Sequence, residues 1–363
     1  MYKITIIAGA RPNFMKIAPI IHEIQTATSN GHAIDFRLVH TGQHYDKNMS
    51  GDFFEQLQIP EPHANLECSG GSQAVQTANI MMAFETELVA NPADLVLVVG
   101  DVTSTMACAL VAQKLNTKVA HVEGGIRSND WTMPEEINRL VTDSITNYFF
   151  TTSETANNIL KGNGVKENQI FFVGNTMIDT LLKQMPNFKA PEVWDELDLK
   201  EKEYIVMTLH RPANVDEEGQ LKAMIDEIVA NTTDLPLIFP VHPRTAQILE
   251  SLQISHPRLH TVKPLSYLEF NYLVKHAKAV ITDSGGITEE ASIMNVPCLT
   301  LRDNTERPET ITLGTNELVG TNPENIKPYL EKLFKGNWKV AQNIPLWDGK
   351  TAHRIVEAIL KLS

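Results

Sequence analysis

The chain of 363 residues has only three cysteines, Cys68, Cys108 and Cys298. So few and so scattered, they frame neither a disulfide scaffold nor a zinc site. Positive charge is scarce as well: 31 Lys and Arg face 44 Asp and Glu, a formal net charge of -13. That balance repels nucleic acid and anionic lipid, so an anionic ligand needs a locally basic pocket. No apolar run approaches the roughly 18 residues of a membrane span. MYKITIIAGA enters a β-like run without a basic leader or cleavage site, which sets the expectation of a cytoplasmic protein with no signal peptide. Neither H-E-x-x-H nor a Cys/His cluster occurs, and no Asp-x-Asp is present to hold Mg2+ on a diphosphate, so the expectation is no metal and no cofactor. The G-x-G-x-x-G fingerprint is missing too, which disfavours NAD. There is no short repeat and no low-complexity tract.

With 42% hydrophobic and 21% charged residues, the composition is that of a globular protein. Its length exceeds what one hydrophobic core supports, so two domains are expected. The stretch that organises the chain is AVITDSGGITEE, Ala279 to Glu290. An apolar β-rich run stops at Asp283, a Ser-Gly-Gly turn follows, and helical spacing begins at once. Gly285 and Gly286 let a ligand approach the backbone while the first helical N–H groups point at it, which suits a phosphate. Glu290, one turn in, is placed to accept from a ribose diol.

The same alternation runs through the whole chain. ITIIAG (4–9) reads as a strand followed by a turn with Arg11 and Lys16 and a helix over Met15 to Ile24. Further strands are expected at Phe36 to Thr41, Leu95 to Val99 and Lys118 to Val122, then at Tyr204 to Leu209, Pro236 to Val241, Ala279 to Thr282 and Val296 to Leu301. Strands alternating with helices, each strand ending in polar or glycine-rich residues, predict α/β doubly wound parallel sheets with ligands at the carboxyl ends. Residues 183–203, rich in Pro, Lys and acids, read as a connector. The expected organisation is a Rossmann-like domain over 1–182, the connector, a second Rossmann-like domain over 204–344 and a C-terminal helical segment over 345–363, with a ligand cleft between the halves.

The first half supplies carboxylates at strand or loop ends: Asp101, Glu123 and the pair Glu135-Glu136. Carboxylates gathered in one crevice raise each other's pKa, which suits acid and base work near neutral pH. The second half supplies anion-binding groups: the Ser-Gly-Gly turn, His210, Arg211, and Arg307 in TERPE. A cationic half beside an acidic half suits chemistry on a nucleotide sugar.

GARPNFMK, GDVTST, HVEGGIR, MPEEINR, GNTMID, HRPANVD, PVHPRT, DSGGITEE and RDNTERPE, in this order over nearly the whole chain, resemble the non-hydrolysing UDP-N-acetylglucosamine 2-epimerases. The resemblance implies a two-domain GT-B fold, a homodimer, and interconversion of UDP-GlcNAc and UDP-ManNAc for polysaccharide precursors through a 2-acetamidoglucal held beside UDP. It implies Asp101, Glu123, Glu135 and His210 as catalytic residues. Arg11, Ser284, Gly285, Gly286, Glu290 and Arg307 would bind the UDP-sugar, Lys16 would sit near the diphosphate or the first-domain carboxylates, and Phe270 would pack against the uracil. Bacterial members bind a second UDP-GlcNAc as activator; Gln43, His44 and His242 are candidates for such a site, while Asp46 stands where glutamine is common. The motifs also look like relatives acting on modified sugars such as UDP-2,3-diacetamido uronic acids, and the same fold hosts hydrolysing epimerases and glycosyltransferases.

Overall fold

The computed structural model describes residues 1–43, 54, 56–210, 214, 218–241 and 243–363. His44, Arg211 and His242, singled out above, lie outside the described residues. The chain divides into two compact units, Met1–Thr180 with Pro345–Ser363, and Leu181–Ile344.

The first unit holds a seven-stranded sheet of β1 (Tyr2–Ala8), β2 (Ile34–His40), β3 (Ala64–Asn65), β4 (Leu95–Val99), β5 (Lys118–Val122), β6 (Tyr148–Thr151) and β7 (Ile170–Phe172), in the spatial order 3-2-1-4-5-6-7. Every pairing is parallel, so right-handed helical crossovers cover both faces and the central strands must be apolar throughout. Leu95, Val96, Leu97, Val98 and Val99 of β4 are all buried, as this requires. The second unit repeats the scheme with β8 (Ile205–Thr208), β9 (Leu237–Pro240), β10 (Leu259–Val262), β11 (Ala279–Thr282), β12 (Cys298–Thr300) and β13 (Asn316–Leu318), ordered 10-9-8-11-12-13 and parallel throughout. In each sheet the strand order reverses at one place, between β1 and β4 and between β8 and β11. Such a switch point leaves a crevice at the carboxyl ends, where ligands bind.

The long central strands were legible from the sequence. β6, β7, β10 and β13 are edge or near-edge strands of three or four residues that carry too little alternation to read. The segment 183–203 is less of a connector than its composition suggests. It carries a short helix, Glu192–Glu196, and seats Val193 and Leu199 in the core of the second unit beside Tyr204, Leu273 and Val280.

The C-terminal segment Pro345–Ser363 belongs to the first unit. Its helix, Thr351–Leu362, buries Ile355, Val356 and Ile359 and runs against the Arg11–Ser29 helix. A remote side chain starts it. Asp179, in GNTMID, accepts from the backbone N–H groups of Thr351 at 3.1 Å and Ala352 at 2.7 Å, and so satisfies two of the donors that a helix start leaves open. Replacing Asp179 by Ala leaves both buried N–H groups without that acceptor, an expected loss of about 2 kcal/mol or more. Urea unfolding of the variant checks this, and an unchanged midpoint would refute the capping role.

Candidate functional site

In the first unit the site is built by the turns after β1, β4 and β5 and by the Pro134–Ile145 helix. The buried face of that helix is polar: Glu136, Asn138, Arg139, Thr142 and Asp143 point inward while Ile137 is 45% exposed. An apolar stripe is the usual arrangement; here the helix is a carrier of hydrogen-bonding groups. The Arg139 guanidinium gives Nε and Nη2 to Asp101 Oδ2 at 3.0 and 2.5 Å, and Nη1 to Glu136 Oε2 at 2.8 Å. Glu136 in turn accepts from the backbone N–H groups of Ser128 and Asn129 and from the Ser128 hydroxyl. Burial works against ionisation of Glu136, but these hydrogen bonds outweigh it and hold its carboxyl below the ordinary range.

Glu123 ends β5 in the left-handed region, φ +72, a conformation that costs a non-glycine residue about 1 kcal/mol or more. Its carboxylate is held by Lys16 Nζ at 2.8 Å and is buried. Gly125, two residues on, has φ +83, and a Cβ there would sit 2.6 Å from the Ala156 carbonyl oxygen, so this turn admits glycine alone. The turn after β1 is closed by Asn13, whose Oδ1 accepts from the N–H groups of Gly9 and Ala10 at 2.9 Å each. Arg11 follows at the helix start, and Lys16 lies further along the same helix.

In the second unit the Ser-Gly-Gly turn opens the Gly285–Ile293 helix, whose N-terminus has no side-chain cap. A Cβ on Gly286 would meet nothing within 4 Å, so the backbone there faces open space. The fixed point beside it is Asp283, which is fully buried. It accepts from the His210 backbone N–H at 2.9 Å and from Asn214 Nδ2 at 3.1 Å, and it lies 2.7 Å from His210 Nδ1. A carboxylate on Nδ1 leaves Nε2 as the working nitrogen of an imidazole that is itself 60% exposed. A helix N-terminus with an oriented histidine beside it has the donors to receive an anion and a group able to carry a proton.

The chain matches the UDP-N-acetylglucosamine 2-epimerase family over residues 26–360. It is 41% identical to the UDP-N-acetylglucosamine 2-epimerase of Methanocaldococcus jannaschii over 98% of each chain. The chain belongs to this family. Its fold superposes with a TM-score of 0.89 on a crystal structure of the M. jannaschii enzyme in complex with UDP-GlcNAc and UDP, at 41% identity over 99% of this chain and 100% of that one. A further relative, at 36% identity over 99% of this chain and the whole of the other, is the UDP-2,3-diacetamido-2,3-dideoxy-D-glucuronate 2-epimerase of Pseudomonas aeruginosa. The protein is thus an epimerase-family enzyme built on two Rossmann-type sheets of the GT-B kind.

Within that epimerase fold, Asp101 follows β4, Glu123 follows β5 and Glu135 stands in the first turn of the Pro134–Ile145 helix, all in one unit. Cations lie among them: Lys16 holds Glu123, one of the two placements expected of it, and Arg139, which the sequence reading did not single out, holds Asp101. His210, Ser284, Gly285, Gly286 and Glu290 gather in the other unit. Arg307 is buried and donates to Glu289, and Arg302 is locked to Glu306 by two bonds of 2.8 and 2.9 Å, so both arginines brace the loop after β12. Phe270 is half-buried against the core beside Leu273 and Val274. Gln43 accepts from the N–H and hydroxyl of Ser104 at 3.2 and 2.8 Å, which ties its segment to the turn that follows Asp101.

Arg139, Asn13 and Tyr267, which hold these side chains and turns in place, were not singled out from the sequence, and Asp283 was read only as the end of a strand. For Arg139 a signal existed, since it lies three residues after Glu136 on one helix face.

Tyr267 donates to Glu290 Oε1 at 2.7 Å. Burial, with Glu289 nearby, pushes the Glu290 carboxyl up to about 7 despite that bond. In the unfolded chain the same group titrates near 4.5, so the folded state binds its proton more tightly. The stabilisation is therefore fully present below pH 4.5, falls as pH rises and is gone above about 7, a change on the order of 3 kcal/mol. Glu290→Gln is expected to flatten the stability of the protein across pH 4.5 to 7. Urea midpoints at several pH values test it, and equal slopes in variant and wild type would rule Glu290 out as the titrating group.

Proposed function

We propose that the protein interconverts UDP-GlcNAc and UDP-ManNAc without hydrolysis. The observation that carries this reading is the full-length 41% identity to a relative named for that 2-epimerase. The local chemistry supports it: an uncapped helix N-terminus with an Asp-held histidine in one unit, and cation-held carboxylates in the other. The C2 hydrogen of the sugar is not next to a carbonyl, so direct proton removal is very costly. Loss of the anomeric diphosphate solves this. The C1–O bond breaks with its electron pair leaving on the β-phosphate oxygen, positive charge develops at C1, and a carboxylate takes the C2 proton to give the 2-acetamidoglucal. Delivery of a solvent-exchanged proton to the opposite face of C2 by a second acid, with return of UDP to C1, inverts C2.

Asp101, Glu123 and Glu135 form the acid, base and charge-stabilising set. Ser284, Gly285, Gly286, His210 and Arg11 hold the diphosphate, with Lys16 near it or beside the carboxylates. Glu290 holds the ribose, Phe270 the uracil, and Arg307 the sugar or phosphate. Dimerisation and a cytoplasmic setting belong to the same proposal. A second reading, 2-epimerisation of a modified UDP sugar, draws on the P. aeruginosa relative.

UDP-GlcNAc incubated with the enzyme in D2O is expected to take up deuterium at C2 with no free sugar released, read by proton NMR. Uptake only on a diacetamido uronic acid substrate would select the second reading. Asp101→Asn, Glu123→Gln and Glu135→Gln are each expected to lower turnover by about two or more orders of magnitude with UDP affinity within a few fold; a collapse of UDP affinity with turnover intact would reverse the division of labour. Activity is expected to persist in EDTA, because arginine, histidine and backbone N–H groups balance the diphosphate charge, and loss restored by Mg2+ would contradict this.

A further inference from the structure

Resting on that reading, we propose that His121 is a positioning residue for Asp101, acting through the carbonyl of Gly100. His121, near the end of β5, is almost fully buried. Its Nε2 lies 2.8 Å from the Gly100 carbonyl oxygen and its Nδ1 2.7 Å from Asp143 Oδ1. A carbonyl only accepts, so Nε2 is a donor and its ring is turned by Asp143. The Gly100 carbonyl and the Asp101 N–H share one rigid peptide plane. Fixing the first therefore fixes the orientation from which the Asp101 side chain departs.

The neighbouring carbonyls are held in the same manner. Val99 O accepts from Asn13 Nδ2 at 3.3 Å and Thr105 Oγ1 at 2.9 Å, and Asp101 O accepts from Asn138 Nδ2 at 2.8 Å. Three successive carbonyls leading to Asp101 are thus aimed by side chains, so the position of this turn depends on those side chains. Asp143 extends the coupling. Its Oδ2 accepts from the Gly125 N–H at 3.0 Å and from Arg127 Nη1 at 2.6 Å, so the loop that carries Glu123 is fastened to the same network. Burial opposes ionisation of Asp143, but His121 and Arg127 keep its carboxyl below the usual range.

Two amides separate the two bonds of the ring. In His121→Gln the side-chain NH2 falls near the place of Nε2 and keeps a donor for Gly100. In His121→Asn it falls near Nδ1 and keeps only the contact to Asp143. The expected result is that His121→Asn lowers kcat about 100-fold with KM within about threefold, the scale of a roughly 1 Å misplacement. His121→Gln is expected to restore at least about tenfold of that loss. Hydrogen–deuterium exchange of the peptide covering 100–105 supplies a readout that does not depend on the substrate: faster exchange in the Asn variant than in the Gln variant, with the remaining peptides unchanged. Equal exchange of 100–105 in wild type and His121→Asn would overturn the proposal, as would equal kcat in the two variants or a change confined to KM. Wild-type enzyme that takes no deuterium into UDP-GlcNAc would refute the substrate reading instead, and the exchange comparison would still decide the role of His121.

Discussion

A guanidinium taken out of water has to find acceptors for its donors, or the fold bears the full cost of an unpaired charge. Arg139 meets that condition with two carboxylates, Asp101 and Glu136. The consequence spreads in both directions. Asp101 is drawn onto the Pro134–Ile145 helix from a turn 38 residues earlier, and Glu136 is left with the lone pairs that gather the Ser128–Asn129 backbone. Removing any one of the three would leave a buried partner unmatched, so these groups come as a set. The polar inward face of the helix follows from the same requirement.

The two sheets share one topology and use it for different electrostatics. Each has its switch point between the first and fourth of its strands, and each places its polar groups there. In the first unit, side-chain charges of both signs are interleaved, which suits a site where charge develops and disappears on a sugar ring. In the second, the backbone does most of the work: N–H groups at a helix start, with Asp283 fixing the histidine that stands next to them. A neutral scaffold of this kind accepts an anion without a fixed positive charge that would have to be desolvated when the site is empty.

How much of this the sequence disclosed depends on the range of the interaction. Strand-then-turn units such as AVITDSGG and LVLVVGD declare themselves within a dozen residues, so the sheets and the glycine-lined helix start were readable. The carboxylates stood out because they follow strands. Their partners did not: Lys16 meets Glu123 across 107 residues, and Asp283 meets the His210 backbone across 73. A linear chain gives no sign of such pairs; the family resemblance, and not spacing, put Lys16 near the carboxylates, and Arg139 was overlooked. Composition misled in 183–203 for a related reason. Proline and charge suggested a free linker, while Val193, Trp194, Leu197 and Leu199 anchor it against the core of the second unit.

The division of the chain into a continuous second unit and a first unit that includes Pro345–Ser363 has a consequence for biosynthesis. Residues leave the ribosome in order, and the segment that caps itself on Asp179 and covers the Arg11–Ser29 helix emerges only after the whole of the second unit. The second unit has all of its strands available while synthesis is still under way. The first, although begun earlier, keeps the surface meant for Ile355, Val356 and Ile359 uncovered until the second unit has been made. The unit that carries Asp101, Glu123 and Glu135 is therefore completed only after the second one, and its nascent form exposes an apolar face until then.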